Sequence, residues 1–574
     1  MLHDPVRPAP EPFRPKLISA LSEGYRWADL RHDAPAGLTV AVVALPLSMA
    51  IAIASGLPPQ HGLFAAAVGG FLVSALGGSR FQIGGPAGAF IVLVSAAVAD
   101  IGVAGMLTAT LMSGVFLALA GALRLGGYVK YVPYPVTVGF TAGIAVIILA
   151  SQIAPFLGLT LGGPEPAAVL PKLAAIWQAR DTLSPAAAGV AAGTVAVIVA
   201  LRRIRPHWPG MLIAVALAAA ATAVLALPVE TVGSRFGAMP RSVPLPAPPP
   251  LSAGALLEAL PYALAFTLLG AIESLLSAVV ADGMTGRRHR SSVELVGQGL
   301  ANIAAGLFAA MPVTGTIART ATNVRAGART PLAGMIHALA ILALMLVAAP
   351  LAAYVPLAAL AGVLVLVAWG MMEREAVVTL LRASWADALV VAAVFLLTVL
   401  RDLTEAIVVG VAFGALLFIR RMSEAVAVEP AHEVRDLDLA ADPDIVVYRV
   451  KGAFFFASAA TVGSVLERIA DRHRAFVVDF EAVPFIDSSG ARAIELLARK
   501  AERQGVRLVL TGLTPAVAPV LRAHGVGGHG VMVAETIADA VERLRAARGQ
   551  PLPAQPARGA ASAAHTPAGA AGED

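Results

Sequence analysis

Two charged residues stand where charge is expensive. Glu273 lies deep in the apolar run Ala263–Asp282, and Arg319 follows Thr314-Gly315-Thr316-Ile317-Ala318 near the start of another apolar segment. A charge at the centre of a bilayer costs on the order of 2.5–3.5 kcal/mol even on lenient insertion scales, so such side chains face a cavity and act there. A carboxyl placed like Glu273 can carry a proton, or ionise to hold a cation. Ser277, four residues on and on the same helical face, adds an oxygen. With Gly315, these two make up the candidate coupling-ion residues. Arg319 sits one turn into its helix, where free N–H groups and the partial positive charge of the helix start favour an anion. A guanidinium beside such a start makes an anion site. Other roles stay open: Glu273 as a buried packing acid, and Arg319 as its neutralising partner or a snorkelling side chain.

The remaining chemistry is sparse. His61, His289 and His337 are scattered without ligand spacing and read as structural. There is no cysteine, which excludes disulfides, thiolate metal sites and cysteine nucleophiles. No Ser/His/Asp arrangement, phosphate-cradling loop or metal-ligand cluster stands out, so no enzyme activity, metal or cofactor is expected.

The elements that position these residues follow from composition. Of 574 residues, 58% are hydrophobic and 14% charged, against about 25% charged in soluble proteins. From Gly37 to Ile419 the chain is a series of apolar runs of membrane-spanning length. Spans are expected to begin at Gly37, Leu63, Pro86, Ala104, Val132, Ser184, Gly210, Glu258, Val293, Thr316, Pro331, Val355, Trp385 and Thr404. The net charge of +5 comes from clusters such as Arg202-Arg203-Arg205, Arg287-Arg288-Arg290 and Arg420-Arg421. Their bias to alternate loops predicts an even number of spans with both termini cytoplasmic, and it makes nucleic acid an unneeded partner. Residues 1–34 form a cytoplasmic segment without a signal-peptide pattern, and residues 35–422 the membrane domain.

Two spans are poor helices in the same way. Gly84-Gly85-Pro86-Ala87-Gly88 opens one and Pro312-Val313-Thr314-Gly315-Thr316 opens the other. Pro46, in the first span, marks a kink that brings Ser48 toward the same region. Paired interrupted helices in corresponding halves point to an inverted-repeat transporter with its site at the repeat interface. Unwound backbone at membrane depth survives only where protein or a wet cavity satisfies it. The two breaks are therefore expected to face each other around a cavity.

After Met422 ordinary charge density returns. Residues 423–443 read as a linker and 444–546 as a small α/β domain, with strands at 445–450, 475–480 and 507–511 and helices at 462–472, 489–504 and 534–545. Asp487 and Ser488 are placed to cap a helix. Residues 547–574 are Ala/Pro/Gly-rich and read as a disordered tail.

Asp33–Gly62, with Ala-Gly-Leu-Thr-Val-Ala-Val-Val-Ala-Leu-Pro and Ser-Gly-Leu-Pro-Pro-Gln-His-Gly-Leu, resembles the first span of the SulP (sulfate permease) anion transporters. Gly78–Pro86, Gly270–Gly286 and Thr314–Gly334 resemble that family's third, eighth and tenth spans. The resemblance implies an α-helical membrane protein of fourteen spans in a seven-plus-seven inverted repeat, divided into core and gate domains. It implies an anion bound by Ser48, Ile51, Ala87, Gly88, Thr316, Ala318 and Arg319. Members with an acid at the Glu273 position are linked to proton or sodium coupling. Thr320–Gly327 looks most like bacterial members that take C4-dicarboxylates with protons. Val483–Gly490 resembles the STAS domain, whose relatives among anti-sigma-factor antagonists are phosphorylated on a serine of this loop; Ser488 and Ser489 are the corresponding candidates. The implied protein is a homodimer in the inner (plasma) membrane, with a cytoplasmic protein partner at the STAS domain. It would run proton-coupled symport of a small inorganic or organic anion (C4-dicarboxylate, sulfate or bicarbonate class) by alternating access. A passive anion channel or an uncoupled exchanger is the alternative.

Overall fold

The computed structural model describes residues 13–163, 165–166, 168–205, 208–401, 403–430, 445–470, 475–528 and 530–546. The expected tail at 547–574 lies outside them. The chain forms two compact units, Met1–Gly414 and Ala415–Asp574.

In the first unit a helix lies over each expected span. Among the described residues, eight helices of at least 18 residues are apolar enough to cross a membrane. The spans expected at Pro86 and Ala104 are one helical stretch, Phe90–Ala122, broken at Gly102, where φ is 70° and ψ 176°. That backbone is easy only for a residue without a Cβ. The first long helix starts at Trp27, earlier than the composition suggests, after a short helix Lys16–Ser22.

The long helices fall into two groups. In one, Phe90–Ala122 packs on Ala253–Thr285 and Ser291–Leu307, and Trp27–Ala54 packs on Leu332–Ala352. In the other, Tyr134–Leu157 packs on Leu357–Met371 and Trp385–Leu400. Small residues let backbones touch in the first group. A Cβ on Gly114 would lie 2.7 Å from the Gly299 carbonyl oxygen, and one on Gly299 would lie 2.6 Å from that of Gly114. Close approach of this kind replaces the hydrophobic drive that lipid cannot supply.

At the centre of the first group the two chain breaks meet. Gly84–Gly85 and Thr314–Gly315 are two-residue strands paired antiparallel, Gly84 opposite Gly315 and Gly85 opposite Thr314. The two breaks face each other as expected, but paired backbone to backbone where the expectation put a cavity between them. The helix after the first break begins at Phe90, four residues later than Pro86. The helix after the second runs only from Ile317 to Arg325.

The second unit is a five-stranded sheet in the spatial order Ala427–Pro430, Ile445–Lys451, Ala475–Asp479, Arg507–Thr511, Met532–Val533; the first pair is antiparallel and the rest parallel. The edge strand Ala427–Pro430 falls in the stretch read as a linker. Among the described residues, the α-helices that follow its strands are Phe456–Ala470, Ser488–Gln504, Ala518–Ala523 and Ile537–Ala546. Alternate strand residues face opposite layers: Phe476 and Val478 join one core, Ala475 and Val477 the other. Burial on both faces explains why these strands read as continuous apolar runs.

Candidate functional site

Arg319 is 2% exposed. Its Nη2 donates to the Ser48 hydroxyl at 3.2 Å and to the Pro86 carbonyl at 3.2 Å. The Nε and Nη1 groups have no hydrogen-bond partner, and no carboxylate pairs with the side chain among the described residues. The guanidinium lies against the first break: a Cβ on Gly85, whose φ is 154°, would stand 2.3 Å from Nη1. Ser48 itself is buried and donates to the Ala44 carbonyl at 2.7 Å. A desolvated cation with free donors is costly unless an anion completes it.

The crossing is stitched from both sides. The Thr316 amide donates to the Ile83 carbonyl at 3.0 Å, and the Ile83 amide donates to Thr320 Oγ1 at 3.1 Å. Asn323 Nδ2 donates to the Phe81 carbonyl at 2.9 Å. Gln82 Nε2 donates to Ser274 Oγ at 2.7 Å, and Thr314 Oγ1 to the Gly270 carbonyl at 3.2 Å. These bonds tie both breaks to the Glu273 helix.

A polar row on the helix Ser291–Leu307 was missed by the sequence reading. Glu294 Oε2 accepts from the Gly78 and Ser79 amides at 2.7 and 2.9 Å. Asn302 accepts from the Val313 amide at 2.9 Å and donates to the Val313 carbonyl at 2.8 Å. Gln298 donates to the same carbonyl. Three polar residues spaced by four share one helix face, so the signal was present: an expected span carrying Glu, Gln and Asn at a helical repeat. Their task is to satisfy the chain before each break, as unwound backbone at membrane depth demands.

The expected residues divide accordingly. Arg319, Ser48, Thr316 and Ala87 gather at the crossing and are buried. Gly88 is partly exposed, and a Cβ there would touch Met371 Sδ at 3.2 Å and Ile148 Cδ1 at 3.7 Å, both from the second helix group. Ile51, three residues after Ser48 in the same helix, is 1% exposed; Ala318 is exposed. Glu273 is partly exposed and makes no ion pair with Arg319 among the described residues. Its two companions are buried. The Ser277 hydroxyl is fully buried and donates to Thr320 Oγ1 at 3.1 Å. Gly315 has no room for any side chain, since a Cβ would lie 1.6 Å from Gln82 Nε2.

The histidines sit apart from one another. His61 Nδ1 lies 2.5 Å from the Ala309 carbonyl oxygen and His289 Nδ1 lies 2.7 Å from Asp282; His337 is buried. In the second unit, Asp487 alone caps the helix Ser488–Gln504. Its Oδ1 accepts from the Gly490 amide at 2.8 Å and its Oδ2 from the Phe456 amide at 2.9 Å. Ser488 and Ser489 are left exposed at that helix start.

Two broken helices meeting head to head over a buried cation define a membrane transporter rather than an enzyme. The sulfate permease family profile matches residues 30–394 and the STAS domain residues 436–541; the chain belongs to the sulfate permease family. A Bacillus subtilis (strain 168) protein named provisionally as a sulfate transporter, YvdB, is 39% identical over 88% of this chain and 96% of its own. The bicarbonate transporter BicA of Picosynechococcus sp. is 32% identical over 81% of this chain and 86% of its own. The solved transmembrane domain of a cyanobacterial BicA matches with a TM-score of 0.60 and 34% identity, covering 67% of this chain and 98% of that one. The structure of SLC26A9 matches the fold with a TM-score of 0.82 at 18% identity, over 92% of each chain. YvdB and the BicA proteins are named for sulfate and bicarbonate, so the expected kinship to C4-dicarboxylate carriers finds no support in them.

Proposed function

We propose that this chain is a secondary active carrier of a small anion of the sulfate or bicarbonate class, with C4-dicarboxylates as a third candidate, working by alternating access. The observation that carries the reading is the buried Arg319 guanidinium, held by neutral oxygens at the crossing of two chain breaks and left with unused donors. Arginine offers planar paired donors suited to a carboxylate-like or sulfate oxygen pair. The names of the relatives support the substrate class.

In this reading the anion completes the Arg319 donors beside Ser48, Ala87 and Thr316, and the first helix group carries it past the second at Gly88. Glu273 takes the coupling proton, with sodium the alternative ion. A protonated Glu273 removes a like charge from the path of the anion. The carrier works as a homodimer in the inner membrane with both termini cytoplasmic, and its STAS domain meets a cytoplasmic partner, switched by phosphorylation of Ser488 or Ser489.

The deciding experiment is uptake of labelled sulfate, bicarbonate, succinate and fumarate into proteoliposomes, with and without proton and sodium gradients. Uptake of at least one anion that rises with an inward proton gradient, and loses that response in Glu273→Gln, is expected. Flux far above carrier rates and indifferent to both gradients would replace the carrier with a channel.

A further inference from the structure

A cavity of about 520 Å³ opens at the far ends of the elements that hold the Arg319 crossing. Four stretches enclose it: the N-terminal segment at Glu23, the approach to the first break at Arg80, the end of the Glu273 helix at Arg287, and the loop after the Arg319 helix at Arg329. Its size lies within the range of small-molecule sites, roughly 300–1,000 Å³.

The charges around it are unequal. The Arg80 side chain is only a tenth exposed, and its ion partner is Glu23, whose own side chain is about half exposed (10% and 55%). The Arg80 hydrogen bond holds the Glu23 carboxyl below the usual carboxylate range, with Arg287 and Lys16 adding to the effect. Lys16 in turn is pushed down by burial and by the nearby Arg290 and Arg80. Arg329 pairs with Asp29 at 3.2 Å, while Arg287 makes no ion pair among the described residues. Among the lining residues Arg80, Arg287 and Arg329 face Glu23 and Asp29, with buried Asp33 accepting from the Arg329 and Thr330 amides behind them. The acid that meets Arg80 belongs to the N-terminal segment, which is held by other bonds as well. The others include the Lys16 amide to the Gly77 carbonyl at 3.0 Å and Arg290 to the Arg14 carbonyl and Ser19 hydroxyl.

We propose that this cavity is a second anion site, which takes a phosphate group in place of the Glu23 carboxylate and thereby unlatches the N-terminal segment. A free monocarboxylate cannot compete with Glu23, which is delivered at high effective concentration by its own chain. A phosphate can, because its additional charge and acceptor oxygens engage Arg287 together with Arg80. The phosphate comes either from a soluble ligand or from a lipid headgroup.

The chain has no cysteine, so a nitroxide on Leu21→Cys reports on the segment alone in the full-length protein. Inorganic pyrophosphate in phosphatidylcholine vesicles tests the soluble source, and vesicles containing phosphatidic acid, without pyrophosphate, test the headgroup. Mobilisation of the label in either arm is expected. Arg287→Gln should weaken the response about tenfold, while Glu23→Gln and Arg80→Gln, each lacking one half of the latch, should be mobile unaided. Arg319→Ala should leave the response intact, which separates this site from the transport site. A label that stays immobile in both arms overturns the proposal. So does a response that Arg287→Gln leaves unchanged, a Glu23→Gln or Arg80→Gln label that stays immobile without phosphate, or a response abolished by Arg319→Ala.

Discussion

Arg319 and Ser48 are 271 positions apart in the chain, yet the guanidinium donates to the serine hydroxyl at 3.2 Å. The bond joins the first long helix to the second break, and it gives the arginine a neutral partner where an acid would have cancelled its charge. That choice keeps the cation available to a solute.

Because no carboxylate is left behind, Arg319→Gln should fold as well as the parent. At an anion concentration of 100 times Kd the parent gains about 2.7 kcal/mol from binding. Thermal unfolding with and without sulfate or bicarbonate should show that gain in the parent and none in the variant. A variant that still gains stability from the anion would place the site elsewhere.

The strand pair depends on Gly315, where a Cβ would overlap Gln82 Nε2 at 1.6 Å. Gly315→Ala should lower stability by about 1–3 kcal/mol, the usual cost of overpacking, and abolish uptake. Adding Gln82→Ala removes the obstructing amide and should restore part of the lost stability, measured as the unfolding midpoint in detergent. No recovery in the double variant would mean that the clash is not the cause.

Asn302 satisfies both polar groups of Val313. In Asn302→Leu the Val313 amide loses its acceptor, while Gln298 still reaches the carbonyl. A loss of about 1–3 kcal/mol is expected for one orphaned buried group. Hydrogen exchange at the Val313 amide should quicken more than at the helix Leu332–Ala352.

The Glu23 carboxyl is depressed in the folded chain by Arg80. Its contribution to docking is therefore present above the ordinary glutamate pKa of about 4.3 and lost as pH falls through the lower, folded value. The nitroxide on Leu21→Cys should stay immobile from neutral pH to about 5 and loosen below about 4.3. In Glu23→Gln it should be loose throughout; a variant label as rigid as the parent at neutral pH would remove the latch.

Asp487→Ala should cost about 0.5–2 kcal/mol through loss of a helix cap. In the full chain this appears as faster hydrogen exchange over Ser488–Gln504, with the exchange of Tyr134–Leu157 unchanged. Protection that stays at the parent level would assign the cap to Ser488 instead.

Lipid makes some features legible in one dimension. A charge in an apolar run, a Gly-Pro break and a basic loop all carry a penalty or preference set by the bilayer alone, so Glu273, Arg319, both breaks and most spans can be read from the chain. The small domain was legible for the same reason, since strand and helix periods are local, although the short edge strand Ala427–Pro430 has too little pattern to be seen. What only the tertiary structure decided is who meets whom. The register of Gly84 on Gly315, the engagement of Ser277 by Thr320, the bonds of Arg319 to Ser48 and Pro86 and the polar row from Glu294 to Asn302 are all contacts between distant segments. Such pairings are selected by the packing of whole helices, and no local preference of either partner encodes them.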